Sequence, residues 1–269
     1  MTAVRLRTLR REIADLLAKP ATAMERAAAL DALLARYANH AYRPGAQADA
    51  DEPAYHTAAV VLPELWRALR QTLPPEADAR LALADALWAQ GTREPRLLAA
   101  RVLGQVPAEA HTAVFERVWP WLAIRDRRVR AAVLEHGARP LTQADDALLV
   151  HLAPHLPPQG QQELAARALT LVTRLIEAPE FDNTPILFRA LRAGLRHPAP
   201  ALRPEWVTVL QALLRRWPAE ALPFLRRALW ESGDPEGVLW LLRRILPSAP
   251  PAWRDRLEDL LREAAPQRA

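Results

Sequence analysis

Arginines that open helices are the residues of this chain best suited to chemistry. Arg93 and Arg96 begin the run "REPRLLAARVL", and Arg125, Arg127, Arg128 and Arg130 begin the similar run "RDRRVRAAVL". A guanidinium presents five donors in a planar fork, binds phosphate bidentately and stacks on aromatic rings. Arginines at equivalent positions of stacked repeats predict a stripe that follows a phosphate backbone. Arg189, Arg192 and Arg196, at i, i+3 and i+7, fall on one face of a further helix. The bland role for such residues is ion pairing between repeats, with Glu94, Asp126 and Glu163 as partners. Lys19 is the only lysine among 36 Lys and Arg residues, and 31 Asp and Glu leave a net charge of +5. A GC-rich genome or a high growth temperature is the bland account of the arginine bias itself. The charge permits an acidic partner without demanding one.

Other chemistry is thinner. His151 and His155 in "HLAPHLPP" have the i, i+4 spacing of a metal pair. No H-E-x-x-H motif surrounds them, and Pro154 and Pro157 end that helix, so solvated or capping histidines are the expectation. No cysteine occurs, which excludes disulfides, zinc–thiolate sites and thiol nucleophiles. There is no glycine-rich phosphate loop and no G-x-S-x-G elbow. No metal and no cofactor is expected. Asp145–Asp146 and Glu258–Asp259 read as exposed helix faces, and Trp206, Trp217, Trp230 and Trp240 as core aromatics.

The elements that position these residues are helices. Ala, Leu and Arg dominate, only eight glycines occur, and the 25 prolines fall mostly between apolar segments of helical period. About thirteen or fourteen helices and no strand are predicted. Thr184 and Asp234 are expected N-caps ahead of Pro185 and Pro235. Thr22 with Glu25, and Thr142 with Asp145, have capping-box spacing. Asp126 sits where it would cap the helix from Arg127. Residues 39–56, "NHAYRPGAQADADEPAYH", have no periodicity and read as a loop insertion in a single domain spanning 1–269. The N-terminal stretch carries arginines where a signal peptide is apolar, and no run approaches a membrane span; a cytoplasmic protein with no membrane partner is expected.

Helix-opening phrases recur at Arg125, Gln161, His197 and Gly233, a spacing of 36, with Arg93 lying 32 residues before the first. Such a period is the mark of helix pairs stacked into a solenoid, each burying the apolar face of its neighbour. The phrase "DRRVRAAVL", of the D-x-x-V-R-x-A-A-V-L flavour, resembles HEAT repeats, and the resemblance covers residues 76–247. The expected fold is an all-α solenoid of HEAT-like antiparallel pairs.

The phrase formed by Leu87, Trp88, Glu94, Leu97, Leu98, Ala99 and Leu103 is similar to the signature of the DNA alkylation repair family, the AlkD-like glycosylases. That resemblance implies a HEAT-like solenoid whose concave, arginine-rich face grips duplex DNA, and excision of positively charged alkylated bases. It implies a catalytic carboxylate beside tryptophans that hold the lesion. Asp126 matches the first of the family's two aspartates, Val129 stands at the second, and Arg125 replaces a tryptophan. Trp119 and Trp121 lie nearby, and Arg167 lies close to a later family arginine. The resemblance thus nominates Asp126 for catalysis, and Arg93, Arg96, Arg125, Arg127, Arg128, Arg130, Arg167, Trp119 and Trp121 for contacts with duplex DNA. A non-enzymatic scaffold that binds a polypeptide on its concave face is the alternative. Arginines gathered on one stripe favour DNA; arginines paired with acids or scattered favour the scaffold.

Overall fold

A computed structural model of the chain describes residues 5–39, 41, 53–144, 146–156 and 161–264. It is all-helical, with fifteen α-helices and no strand among the described residues. The loop expected at 39–56 and the Thr142–Asp145 capping pair fall largely outside the described residues. The backbone N–H of Asn39 nevertheless donates to the carbonyl of Tyr55 at 2.9 Å. None of the described helices is long and apolar enough to cross a membrane.

The chain divides into two compact units, Met1–Leu141 and Thr142–Ala269. The first holds α1 (Leu6–Leu17), α2 (Ala23–Arg36), α3 (Val61–Gln71), α4 (Ala77–Ala89), α5 (Arg93–Leu103), α6 (His111–Trp121) and α7 (Arg127–Ala132). A short α8 (Arg139–Thr142) spans the division. In the first unit α1 packs on α3, α3 on α5 and α5 on α7, while α2 packs on α4 and α4 on α5. Helices two apart in sequence therefore lie side by side, and Leu30, Leu65, Leu87, Leu98 and Leu103 fill the space between the rows with no exposed surface. Each such leucine stabilises the fold by about 1.5–3 kcal/mol relative to an exposed one.

Local chemistry sets the ends of these helices. Thr22 accepts from the N–H of Glu25, whose carboxylate accepts from the N–H of Thr22, closing the expected capping box. Between α4 and α5, Gly91 takes the left-handed conformation (φ +79°), which a side chain would strain. Glu94 of the same phrase is buried and accepts from the N–H of Tyr55 at 2.9 Å, so it anchors the segment that leads into α3. After α7 the helix widens into a π turn, Val133–Gly137, closed by the Ala138 N–H on the Val133 carbonyl at 2.8 Å.

The second unit holds α9 (Ala147–Leu152), α10 (Gln162–Glu177), α11 (Thr184–Arg196), α12 (Arg203–Arg216), α13 (Pro218–Trp230), α14 (Pro235–Ile245) and α15 (Pro251–Ala264). Here α10, α12 and α14 form one row and α11, α13 and α15 another. Asp234 caps α14 through the N–H of Gly237 as expected. At α11 the cap is Asn183, one residue earlier than expected, because Thr184 is already the first helical residue and Pro185 the second. The phrase at His197 does not open its helix directly: a 3₁₀ turn at Pro200–Leu202 intervenes and α12 starts at Arg203. Of the four tryptophans expected in the core only Trp206 is fully buried; Trp217 is half-buried, and Trp230 and Trp240 are exposed. Trp217 lies at the junction of α12 and α13, against Phe181 and Arg216, and Trp240 carries the guanidinium of Arg203 over its ring.

Candidate nucleic-acid interface

Asp126 is 2% exposed at the N-cap of α7. Its Oδ1 accepts from the N–H groups of Arg128 at 2.8 Å and Val129 at 3.1 Å. Its Oδ2 accepts from Arg93 Nε at 2.5 Å. Burial pushes this carboxyl upward and is the largest single influence. The Arg93 and Val129 hydrogen bonds, the Arg93 charge and the Arg128 N–H together outweigh it and hold the group below its ordinary value. Val129 is buried in the core.

The aromatic neighbours of that helix are packed on one another. Trp88 of α4 and Trp121 at the end of α6 stack with centroids 4.0 Å apart and planes 1° apart. The guanidinium of Arg96 lies 5.1 Å from the centroid of Trp88. Trp119 stacks on Phe115 at 5.5 Å. The structure therefore brings Asp126 to Arg93, and Arg96 to Trp88, which stacks on Trp121, in two clusters of the first unit. Asp126, Arg93 and Trp121 hold helices together there and offer little surface: the Arg93 side chain is 13% exposed and Trp121 is buried.

Arg125, Arg127, Arg128 and Arg130 are exposed. Arg130 donates to the carbonyl of Ile124 at 2.7 Å. Arg125, Arg127 and Arg128 have no carboxylate partner among the described residues. In the second unit Arg167 pairs with Glu163 at 2.6 Å, one turn apart on α10. On the α11–α13 side Glu231 gathers Arg227 at 2.7 Å, Arg192 at 2.6 Å and Arg196 at 3.7 Å. Hydrogen bonds from Arg227 and then Arg192 hold the Glu231 carboxyl at about 2. Of the face Arg189, Arg192 and Arg196, two members are thereby ion-paired with the one carboxylate of Glu231. His151 lies in the last turn of α9 and His155 ends the following 3₁₀ turn, so the helical register between them is broken. No cluster of three or more metal-binding side chains occurs among the described residues.

A basic concavity of the first unit lies elsewhere, in a cleft of about 700 Å³ lined by α3, the end of α5, the π turn and the segment after it. Arg67 and Arg70 of α3, Arg101 of α5, and His136 and Arg139 face it, with Trp66 on its wall and no carboxylate in its lining. Glu64, buried behind, accepts from Arg67 at 2.8 Å and from Arg10 at 2.9 Å. The Arg10 hydrogen bond leads in holding the Glu64 carboxyl below its usual range. Arg70 has no ion-pair partner among the described residues, and Arg101 rests over Trp66 at 6.0 Å. Gly104 lets the walls meet: a Cβ there would collide with the carbonyl of His136. The missing side chain thus sets His136 and Arg139 opposite Arg101.

None of these cleft residues stood out in the sequence. The available signal was "LWRALR", which puts Trp66 and Arg70 at i, i+4 and Arg67 and Arg70 at i, i+3 on α3. Its convergence with Arg101 and Arg139 comes from packing alone. Comparison with known protein families, with curated proteins and with solved structures found no match for this chain.

Proposed function

We propose that the chain is a HEAT-like α-solenoid that binds duplex DNA through its first unit and lacks the excision chemistry of the alkylation repair glycosylases. The side-by-side rows of alternate helices support the solenoid. The observation that carries the binding reading is the cleft with Arg67, Arg70, Arg101 and Arg139 and no acid in its lining. Guanidinium groups converging on a cleft with no carboxylate in its lining, with Arg67 held from behind by Glu64, favour an anion of extended charge, and phosphates match their fork geometry. Arg125, Arg127 and Arg128 add exposed positive charge in the same unit. Asp126 is assigned the helix cap because both its oxygens already accept hydrogen bonds. Arg93 is assigned the partner that keeps that cap ionised.

The test is binding of a fluorescent duplex by wild type and by Arg70→Ala/Arg101→Ala at low salt. The reading expects affinity to fall about tenfold or more in the double variant, as two phosphate contacts are lost. Unchanged affinity, or no duplex binding by the wild type, contradicts it and leaves the polypeptide scaffold as the better account.

A further inference from the structure

The outward face of α14 in the second unit is unusual. Val238, Leu241, Leu242 and Ile245 point into the core, while Trp240, Arg243 and Arg244 remain outside. Trp240 is 40% exposed, although an indole usually contributes its large apolar area to a core. Spacings of i+3 and i+4 set both arginines on the same side of the helix as the ring. Across from them, Pro204 and Val207 of α12 form an apolar wall, and the groove between encloses about 610 Å³.

The charges are arranged for an anion with a flat ring. Arg203 lies over Trp240 at 5.3 Å from its centroid, and its Nε is buried with no hydrogen-bond partner. Arg243 and Arg244 are exposed and have no carboxylate partner among the described residues. Glu205 and Glu236, the acids nearest in sequence, do not line the groove. This contrasts with the α11–α13 side of the same unit, where Arg192, Arg196 and Arg227 are ion-paired with Glu231.

We propose that the α12–α14 groove binds single-stranded nucleic acid, with a base stacked on Trp240 and the adjoining phosphates on Arg243 and Arg244. An aromatic platform beside a cationic track is the arrangement that holds single strands without regard to sequence, since every base has a flat face. A duplex cannot supply that contact because its bases are stacked on one another. An acidic peptide would occupy the arginines but leave the indole face without a matching ring. The site is separate from the duplex cleft, and each can fail alone.

The experiment is fluorescence anisotropy of a labelled oligothymidylate of about 15 nucleotides with the full chain. Wild type is compared with Trp240→Ala, Trp240→Phe, Arg243→Glu/Arg244→Glu and Arg70→Ala/Arg101→Ala. Binding should weaken about tenfold or more in Trp240→Ala and in the double glutamate variant, and less in Trp240→Phe. The Arg70/Arg101 variant should bind the oligonucleotide like wild type. Arg243 and Arg244 are exposed, so the glutamate variant stays informative should Trp240→Ala fail to fold. Oligonucleotide binding that survives both changes overturns the proposal, as does its loss in the Arg70/Arg101 variant instead. Trp240-dependent binding of polyglutamate with no binding of the oligonucleotide overturns it in favour of a protein ligand.

Discussion

Arg93 Nε donates to Asp126 Oδ2 at 2.5 Å, and this pair ties the first turn of α5 to the first turn of α7. Both partners are largely removed from water, and Asp126 also caps its own helix through two backbone N–H groups. Losing one member of such a pair strands the other charge in the interior. Asp126→Ala is therefore expected to destabilise the first unit by about 3–5 kcal/mol, measured by denaturant unfolding. A change within experimental error would show that the cap and the pair do not stabilise the fold.

The same group carries a pH signature. Its folded pKa lies below the unfolded value, so its contribution is complete above about pH 4 and is lost as pH falls through the depressed folded value. The gap in stability between wild type and Asp126→Ala should stay constant from neutral pH down to about pH 4. It should then close as pH falls towards the depressed folded value. A gap that opens only on acidification would reverse the sign of the account.

Glu231 provides a direct titration. With Arg227, Arg192 and Arg196 around it, its carboxyl is held at about 2. The carboxyl carbon signal of Glu231, followed by NMR, should stay that of the ionised form well below the usual glutamate range and move only near pH 2. A midpoint near the ordinary value of 4.5 would mean that the three arginines are not gathered on it in solution.

Gly104 is predicted to be intolerant of any side chain. Its backbone conformation is helical, so the obstacle is space: an added Cβ meets the backbone carbonyl of His136, which cannot rotate away. Gly104→Ala should cost about 1–3 kcal/mol by thermal or denaturant unfolding. It should also weaken duplex binding, because the wall bearing His136 and Arg139 moves. Wild-type stability together with wild-type affinity would rule out this close approach.

Arg216 illustrates what much of the arginine in this chain does. Its guanidinium donates to the carbonyls of Ile176, Ala178, Pro179 and Phe181, closing the C-terminal end of α10, and stacks on Trp217 at 4.4 Å. Arg216→Ala is expected to lose about 2–3 kcal/mol, whereas Arg216→Lys should recover only part of it because an ammonium cannot span the same carbonyls. Full recovery by lysine would mean that charge alone is at work.

The helical class was legible because local rules decide it: capping at Thr22 and Asp234, proline at helix starts, and apolar residues at helical spacing. The cap of Asp126 was legible for the same reason. The cleft was not, because Trp66, Arg101 and Arg139 are far apart in sequence and meet only through the packing of α3 on α5 and the clearance at Gly104. Helix-opening arginines signalled charge but not its state. Arg93 is engaged by Asp126 and Arg167 by Glu163, whereas Arg127 and Arg128 remain exposed, and no local pattern separates these outcomes. Trp240 misled in the other direction, since an aromatic at helical spacing reads as core and this one faces outward.

The most direct test of the duplex-binding account is the salt dependence of duplex affinity in two arginine pairs. Arg70→Ala/Arg101→Ala removes cations that line the cleft, and Arg192→Ala/Arg196→Ala removes cations already held by Glu231. In a plot of log affinity against log salt, each phosphate contact contributes a slope of about −0.9. The account predicts a slope shallower by about 2 for the first pair and a wild-type slope for the second. Equal slopes in all three proteins, or a shallower slope only in the second pair, would contradict it.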